Sequence, residues 1–198
     1  MPDYVWENEQ DIAALLDAVR QEENNQDLST QEVIEVMLRY IEEDQKITPL
    51  KTLQGLIWEA GYKSGELVGH IYEDAVRGLK RWKDHGIDLY VYSSGSIAAQ
   101  KLIFGHTEFG DLTPIFSGYF DTTTGGKKDT ESYEAIAKEI NLPVSEILFL
   151  SDSTEEISAA AAAGMNVIIL DREQSLFDAM GHTVVNNFDV ILNEAVEA

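Results

Sequence analysis

Cysteine is absent from the 198-residue sequence, which excludes disulfides, thiolate metal sites and cysteine nucleophiles. Basic residues are scarce: 14 Lys and Arg stand against 36 Asp and Glu, a formal net charge of −22. Such a surface repels phosphate backbones and anionic lipid, so neither nucleic acid nor a membrane surface is an expected partner. An anionic small molecule needs a local cation or metal to be held here. No apolar run approaches transmembrane length. The acidic opening MPDYVWENEQ lacks a signal-peptide pattern. The expectation is a cytoplasmic monomer, with the nucleus as a second location if the source is eukaryotic. No internal repeat is visible, and the alanine run 159–163 is the one low-complexity stretch.

What is present divides the chain in two. Hydrophobic residues make up 44%, compatible with an ordinary buried core. Residues 1–69 read as helices alone. Ile12, Leu15, Leu16 and Val19 share one face of a helix expected from Trp6 to Gln21. Ser29-Thr30-Gln31-Glu32 has the form of a capping box, followed at helical spacing by Val33, Val36, Met37, Tyr40 and Ile41. A third helix is expected from about Pro49 to Gly61. From residue 70 to 198, helix and strand patterns alternate. Strands are expected at Ile87–Tyr92, Ile115–Phe120, Glu146–Leu150, Asn166–Leu170 and Thr183–Val185. Helices are expected between them, with a last one from Phe188 to Val196. That alternation predicts an α/β domain with a parallel sheet covered on both faces, preceded by a helical cap.

Three candidate sites follow strands, where ligands bind in open α/β sheets. The first is Ser93-Ser94-Gly95-Ser96, in IDLYVYSSGS. Two hydroxyls, a glycine and the amides of a following helix make a possible phosphate seat. The same residues also read as a plain N-cap and turn. The second is Lys127 in FDTTTGGKKD, where a lysine after a double glycine can hold a phosphate dianion as a point charge. It also reads as half of a solvated lysine pair. The third is Asp152 in ILFLSD, a carboxylate suited to Mg²⁺, with Glu156 one turn on along the same helix face. Its plain alternative is an N-cap aspartate. The order hydroxyl, lysine, acid, each after a strand, says more as a set than any member alone.

That order resembles the haloacid dehalogenase superfamily of phosphatases. The segments YVYSSGSIAAQKLIFGHTEFGDL, FSGYFDTTTGGKKDTESY and ILFLSD closely resemble its enolase-phosphatase family, the acireductone synthases of methionine salvage. KTLQGLIWEAGYKSGEL and HIYEDAVRGLKRWKDHGIDLYVYSSGS are also typical of that family. The resemblance implies a Rossmann-like core with a helical cap. It implies a hydrolase acting on 2,3-diketo-5-methylthiopentyl 1-phosphate, which is enolised and then dephosphorylated to an acireductone with one Mg²⁺. By residue matching, Ser93 and Ser94 contact substrate, Lys127 is catalytic and holds the phosphate, and Asp152 ligates Mg²⁺. Glu156 orients that site from outside the first contacts.

One departure stands out. The family opens with a strand ending in Asp-x-Glu-Gly-Thr, which carries the nucleophile and a metal ligand. No Asp-x-Asp or Asp-x-Glu followed by Gly-Thr occurs in this sequence. The expectation is a shortened member that lacks the first core strand and is inactive alone. The rival reading is a non-catalytic remnant that binds phosphate or a protein partner. A receiver-like phosphotransfer module fits less well, because its acceptor aspartate comes before the hydroxyl and lysine.

Overall fold

The computed structural model describes every residue except Lys46, Phe177 and 192–198. The chain divides into two compact units, Met1–Leu67 and Val68–Ala198.

The first unit is helical: α1 (Pro2–Glu7), α2 (Ala13–Glu22), α3 (Thr30–Glu42) and α4 (Thr48–Ser64). The single helix expected from Trp6 to Gln21 is two. The Asn8 side chain donates to the Tyr4 carbonyl at 2.8 Å and ends α1, and the polar run to Asp11 makes the turn. The capping box forms as the sequence reads: Ser29 Oγ accepts from the Glu32 amide while the Glu32 carboxylate accepts from Ser29. Val5, Leu16, Val19, Val33, Met37 and Leu53 bury the apolar stripes of all four helices in one cluster. Gly65, in the left-handed region at φ 80°, closes α4.

The second unit alternates as expected. It runs α5 (Glu73–Asp84), β1 (Tyr90–Tyr92), α6 (Ile97–Gly105), β2 (Gly118–Phe120), α7 (Thr130–Ile140), β3 (Leu148–Ser151), α8 (Thr154–Ala162), β4 (Asn166–Leu170) and β5 (Thr183–Val185). Every strand pairing is parallel. Three strands start later than expected, β3 at Leu148 rather than Glu146, after a 3₁₀ turn over Val144–Glu146. Residues 87–89 lie outside β1, and Thr113–Ile115 forms a 3₁₀ turn before β2. The terminal helix expected from Phe188 is a 3₁₀ turn over Phe188–Val190, and its remainder falls largely on residues 192–198, outside the described ones.

The sheet is broken. β1 pairs with β2, and β3, β4 and β5 pair in that order, but no ladder joins β1 to β3 among the described residues. Yet both pieces feed the same apolar layers. Tyr92 and Phe120 meet Phe149 and Val167 on one side, with Tyr133 of α7 and Ala160 of α8. Leu89 and Phe116 meet Leu148, Leu150 and Ile168 on the other, with Trp82 of α5. Side chains hold together two sheet fragments whose backbones are not hydrogen-bonded to one another. Among the described residues β1 has a strand neighbour on one side only, and Tyr90 at its start is exposed.

Candidate active site

The three candidate segments leave the carboxyl ends of β1, β2 and β3, and two tyrosines tie the first two together. Tyr92, the last residue of β1, donates its hydroxyl to the Gly125 carbonyl at 2.9 Å. Tyr133, fully buried on α7, donates to the Lys127 carbonyl. Their rings meet edge to face with centroids 5.7 Å apart, and Tyr133 meets Phe149 of β3 the same way at 5.0 Å. Burial pushes both phenols above their ordinary range, so both remain donors at neutral pH. Gly125 sits at φ 149°, and a Cβ there would strike the Ser132 hydroxyl, so this turn requires glycine.

Lys127 is therefore fixed in the backbone before its side chain is considered. Its ammonium lies 2.7 Å from Glu156 Oε2, with only 22% of the lysine and 14% of the glutamate side chain exposed. Ser151, at the end of β3, donates its hydroxyl to the same oxygen at 2.8 Å. Beside this pair Lys128 meets Glu155. The lysine turn after β2 is thus clasped to the first turn of α8 at the end of β3. Glu156 contacts Lys127 directly, a relationship that sequence spacing to Asp152 does not disclose.

At the end of β1, Ser93 donates its amide to the Phe120 carbonyl at 3.1 Å. Ser93 Oγ accepts from the Gly95 amide at 3.1 Å, which leaves its own hydrogen free to donate outward. Ser94 and Gly95 are exposed. The amides of α6 are less available than the sequence implies. Ala99 donates to Ser96 Oγ, and Ile97 donates to the carboxylate of Asp121. A phosphate at this turn meets hydroxyls rather than the first amide of the helix.

Asp152 is exposed, and its carboxylate has no ion pair or hydrogen bond among the described residues. It is the kind of hard oxygen ligand that Mg²⁺ takes. Among the described residues no three carboxylates or imidazoles gather as a preformed metal site. Asp152 therefore fits a largely hydrated ion. The other strand-end aspartates are occupied. Asp121 accepts from Ile97, from the Thr123 amide at 2.9 Å and from the Thr123 hydroxyl at 2.6 Å. Asp171 accepts from the amides of Ser175 and Leu176. These donors hold both carboxyls below the usual range, led by the Thr123 hydroxyl for Asp121 and the Leu176 amide for Asp171.

Parallel βα units with hydroxyl, lysine and acid after successive strands define a class, and the comparison with family models agrees. Residues 4–164 match the haloacid dehalogenase-like hydrolase family, and the chain belongs to it. Within that family it belongs with the enolase-phosphatases. It is 53% identical over 196 residues to Enolase-phosphatase E1 of Pseudomonas aeruginosa strain LESB58, covering 98% of this chain and 86% of that protein. It is 54% identical over 182 residues to Enolase-phosphatase E1 of a Sulfurihydrogenibium species, covering 91% and 79%. Among solved structures, the UTR4 protein of Saccharomyces cerevisiae superposes with a TM-score of 0.78 at 32% identity, over 91% of this chain and 81% of that one. No described helix is long and apolar enough to cross a membrane.

Proposed function

We propose that the turns after β1, β2 and β3 form the phosphate and Mg²⁺ site for 2,3-diketo-5-methylthiopentyl 1-phosphate. Lys127 holds the phosphate dianion, Ser93 and Ser94 donate hydroxyls to it, and Asp152 is a ligand of Mg²⁺. The observation that carries this reading is the Lys127–Glu156 clasp: a half-buried ammonium fixed at the strand ends of a chain carrying 22 excess negative charges. Elsewhere such a charge field repels a phosphate, and here the Lys127 ammonium offers it a cation that it shares with Glu156. Ser93 supports the assignment, because its hydroxyl hydrogen is free. Mg²⁺ bound at Asp152 would neutralise phosphate charge and complete its shell with water.

Binding of inorganic phosphate, followed by calorimetry with Mg²⁺ present, tests this. Lys127→Ala removes a charge-assisted contact worth roughly 1.5–3 kcal/mol and should weaken binding by about 10- to 150-fold. Asp152→Asn should abolish the enhancement by Mg²⁺. Phosphate affinity unchanged in Lys127→Ala refutes the site.

A further inference from the structure

The Ser93–Ser96 turn is too exposed to hold its own shape. Ser94, Gly95 and Ser96 all face solvent, and the one internal bond runs from the Gly95 amide to Ser93 Oγ. Besides the Ser93 amide bond to the Phe120 carbonyl and the Ser96 cap on Ala99, two buried side chains outside the turn hold it. Gln100, 3% exposed on α6, donates Nε2 both to the Gly95 carbonyl and to the Phe120 carbonyl at 2.9 Å each. One amide group thus joins the turn to the end of β2. Asp121, 9% exposed at the end of β2, accepts from the Ile97 amide at 3.2 Å through Oδ2. Its Oδ1 is held by the amide and hydroxyl of Thr123. The turn is therefore anchored to β2 on both sides of Ser96, and β2 is the strand that leads to Lys127.

We propose that Asp121 and Gln100 are positioning residues that fix the Ser93–Ser96 turn, and with it the Ser93 and Ser94 hydroxyls, relative to Lys127. This rests on the reading of that turn as a phosphate contact. The carboxylate is specifically required. Three donors converge on its two oxygens, and the amide of an asparagine offers only one acceptor oxygen. In Asp121→Asn either Ile97 or Thr123 must face an N–H group. Gln100→Leu keeps the volume of the side chain and deletes only the two donated bonds, since Gln100 Oε1 has no partner to lose.

The experiment measures inorganic phosphate affinity, melting temperature and amide hydrogen exchange on the whole chain. Asp121→Asn and Gln100→Leu should each weaken phosphate binding by about tenfold, the ratio given by loss of roughly one hydrogen bond's net contribution. Exchange should accelerate at Gly95 and Ile97, whose amides donate to Ser93 Oγ and Asp121, and stay unchanged in α7. Thr123→Val removes a hydroxyl from Asp121 without touching the turn, and should lower the melting temperature while leaving phosphate affinity within about twofold. If Lys127→Ala weakens binding while Asp121→Asn and Gln100→Leu leave it within twofold, the positioning role is wrong and the phosphate site stands. If Lys127→Ala itself changes nothing, the phosphate site is wrong. Equal weakening by Thr123→Val shows a loss through general destabilisation and also overturns the role. Should Asp121→Asn fail to fold, Gln100→Leu decides.

Discussion

A single oxygen of Glu156 receives both the Lys127 ammonium, at 2.7 Å, and the Ser151 hydroxyl, at 2.8 Å. The lysine that reads from the sequence as a free cation is thus already paired. A phosphate must share this ammonium with a carboxylate or displace it. Glu156→Gln keeps the shape and removes the competing charge. It should leave a partly buried ammonium under-compensated and lower stability by about 1–3 kcal/mol. In the same variant phosphate should bind more tightly than to the parent chain. Thermal melts and calorimetry on one preparation check both, and weaker phosphate binding would show that Glu156 orients Lys127 rather than competes for it.

Tyr133 supports the lysine turn from below. Tyr133→Phe leaves its ring contacts to Tyr92 and Phe149 intact and strips the Lys127 carbonyl of its buried donor. The expected cost is about 1–3 kcal/mol. For a chain of this size that is a fall in melting temperature of roughly 2–4 °C per kcal/mol. An unchanged melting temperature would mean that water takes over the carbonyl.

Much of this is legible in the sequence. Ser29 and Glu32 announce α3 because a capping box is a local, four-residue device. The ends of β1, β2 and β3 are marked by apolar runs that stop at Ser93, Asp121 and Ser151, and Lys127 follows the second after a double glycine. What the sequence hid is non-local. Nothing in YVYSSGS shows that the first α6 amide is taken by Asp121, 24 positions beyond Ile97. Nor does i, i+4 spacing from Asp152 show that Glu156 faces Lys127. Apolar spacing continues across the break at Asn8, a turn that one side-chain bond creates, so the pattern does not disclose it. Nor does composition record that β1, among the described residues, pairs with β2 alone.

Asp121 also sets an acid limit. Its carboxyl is held below the ordinary value of 3.8 by the Thr123 hydroxyl and amide and by Ile97. A lowered folded value contributes stability that is complete above the unfolded value, about 3.9, and is lost as pH falls through the folded one. Urea midpoints should therefore decline below about pH 4. Part of that decline should vanish in Asp121→Asn. Identical acid profiles for the two proteins would show that Asp121 is not held ionised by its donors.

Phosphoryl transfer through an aspartyl intermediate needs a free carboxylate in line with the phosphate. Asp121 and Asp171 are committed to backbone donors, and the Asp-x-Glu-Gly-Thr motif does not occur in this sequence. Any turnover of an aryl phosphate with Mg²⁺ should therefore survive in Asp121→Asn and in Asp171→Asn. Turnover that disappears in Asp121→Asn or Asp171→Asn would identify a nucleophile among these residues.

The proposed phosphate site spans the turns after β1, β2 and β3. An amide-resolved NMR titration of the chain with inorganic phosphate in the presence of Mg²⁺ tests it most directly. Ser93, Ser94, Gly126, Lys127 and Asp152 should shift together, along curves that fit one dissociation constant. Shifts confined to one turn, or separate dissociation constants for the serine and lysine turns, would contradict it.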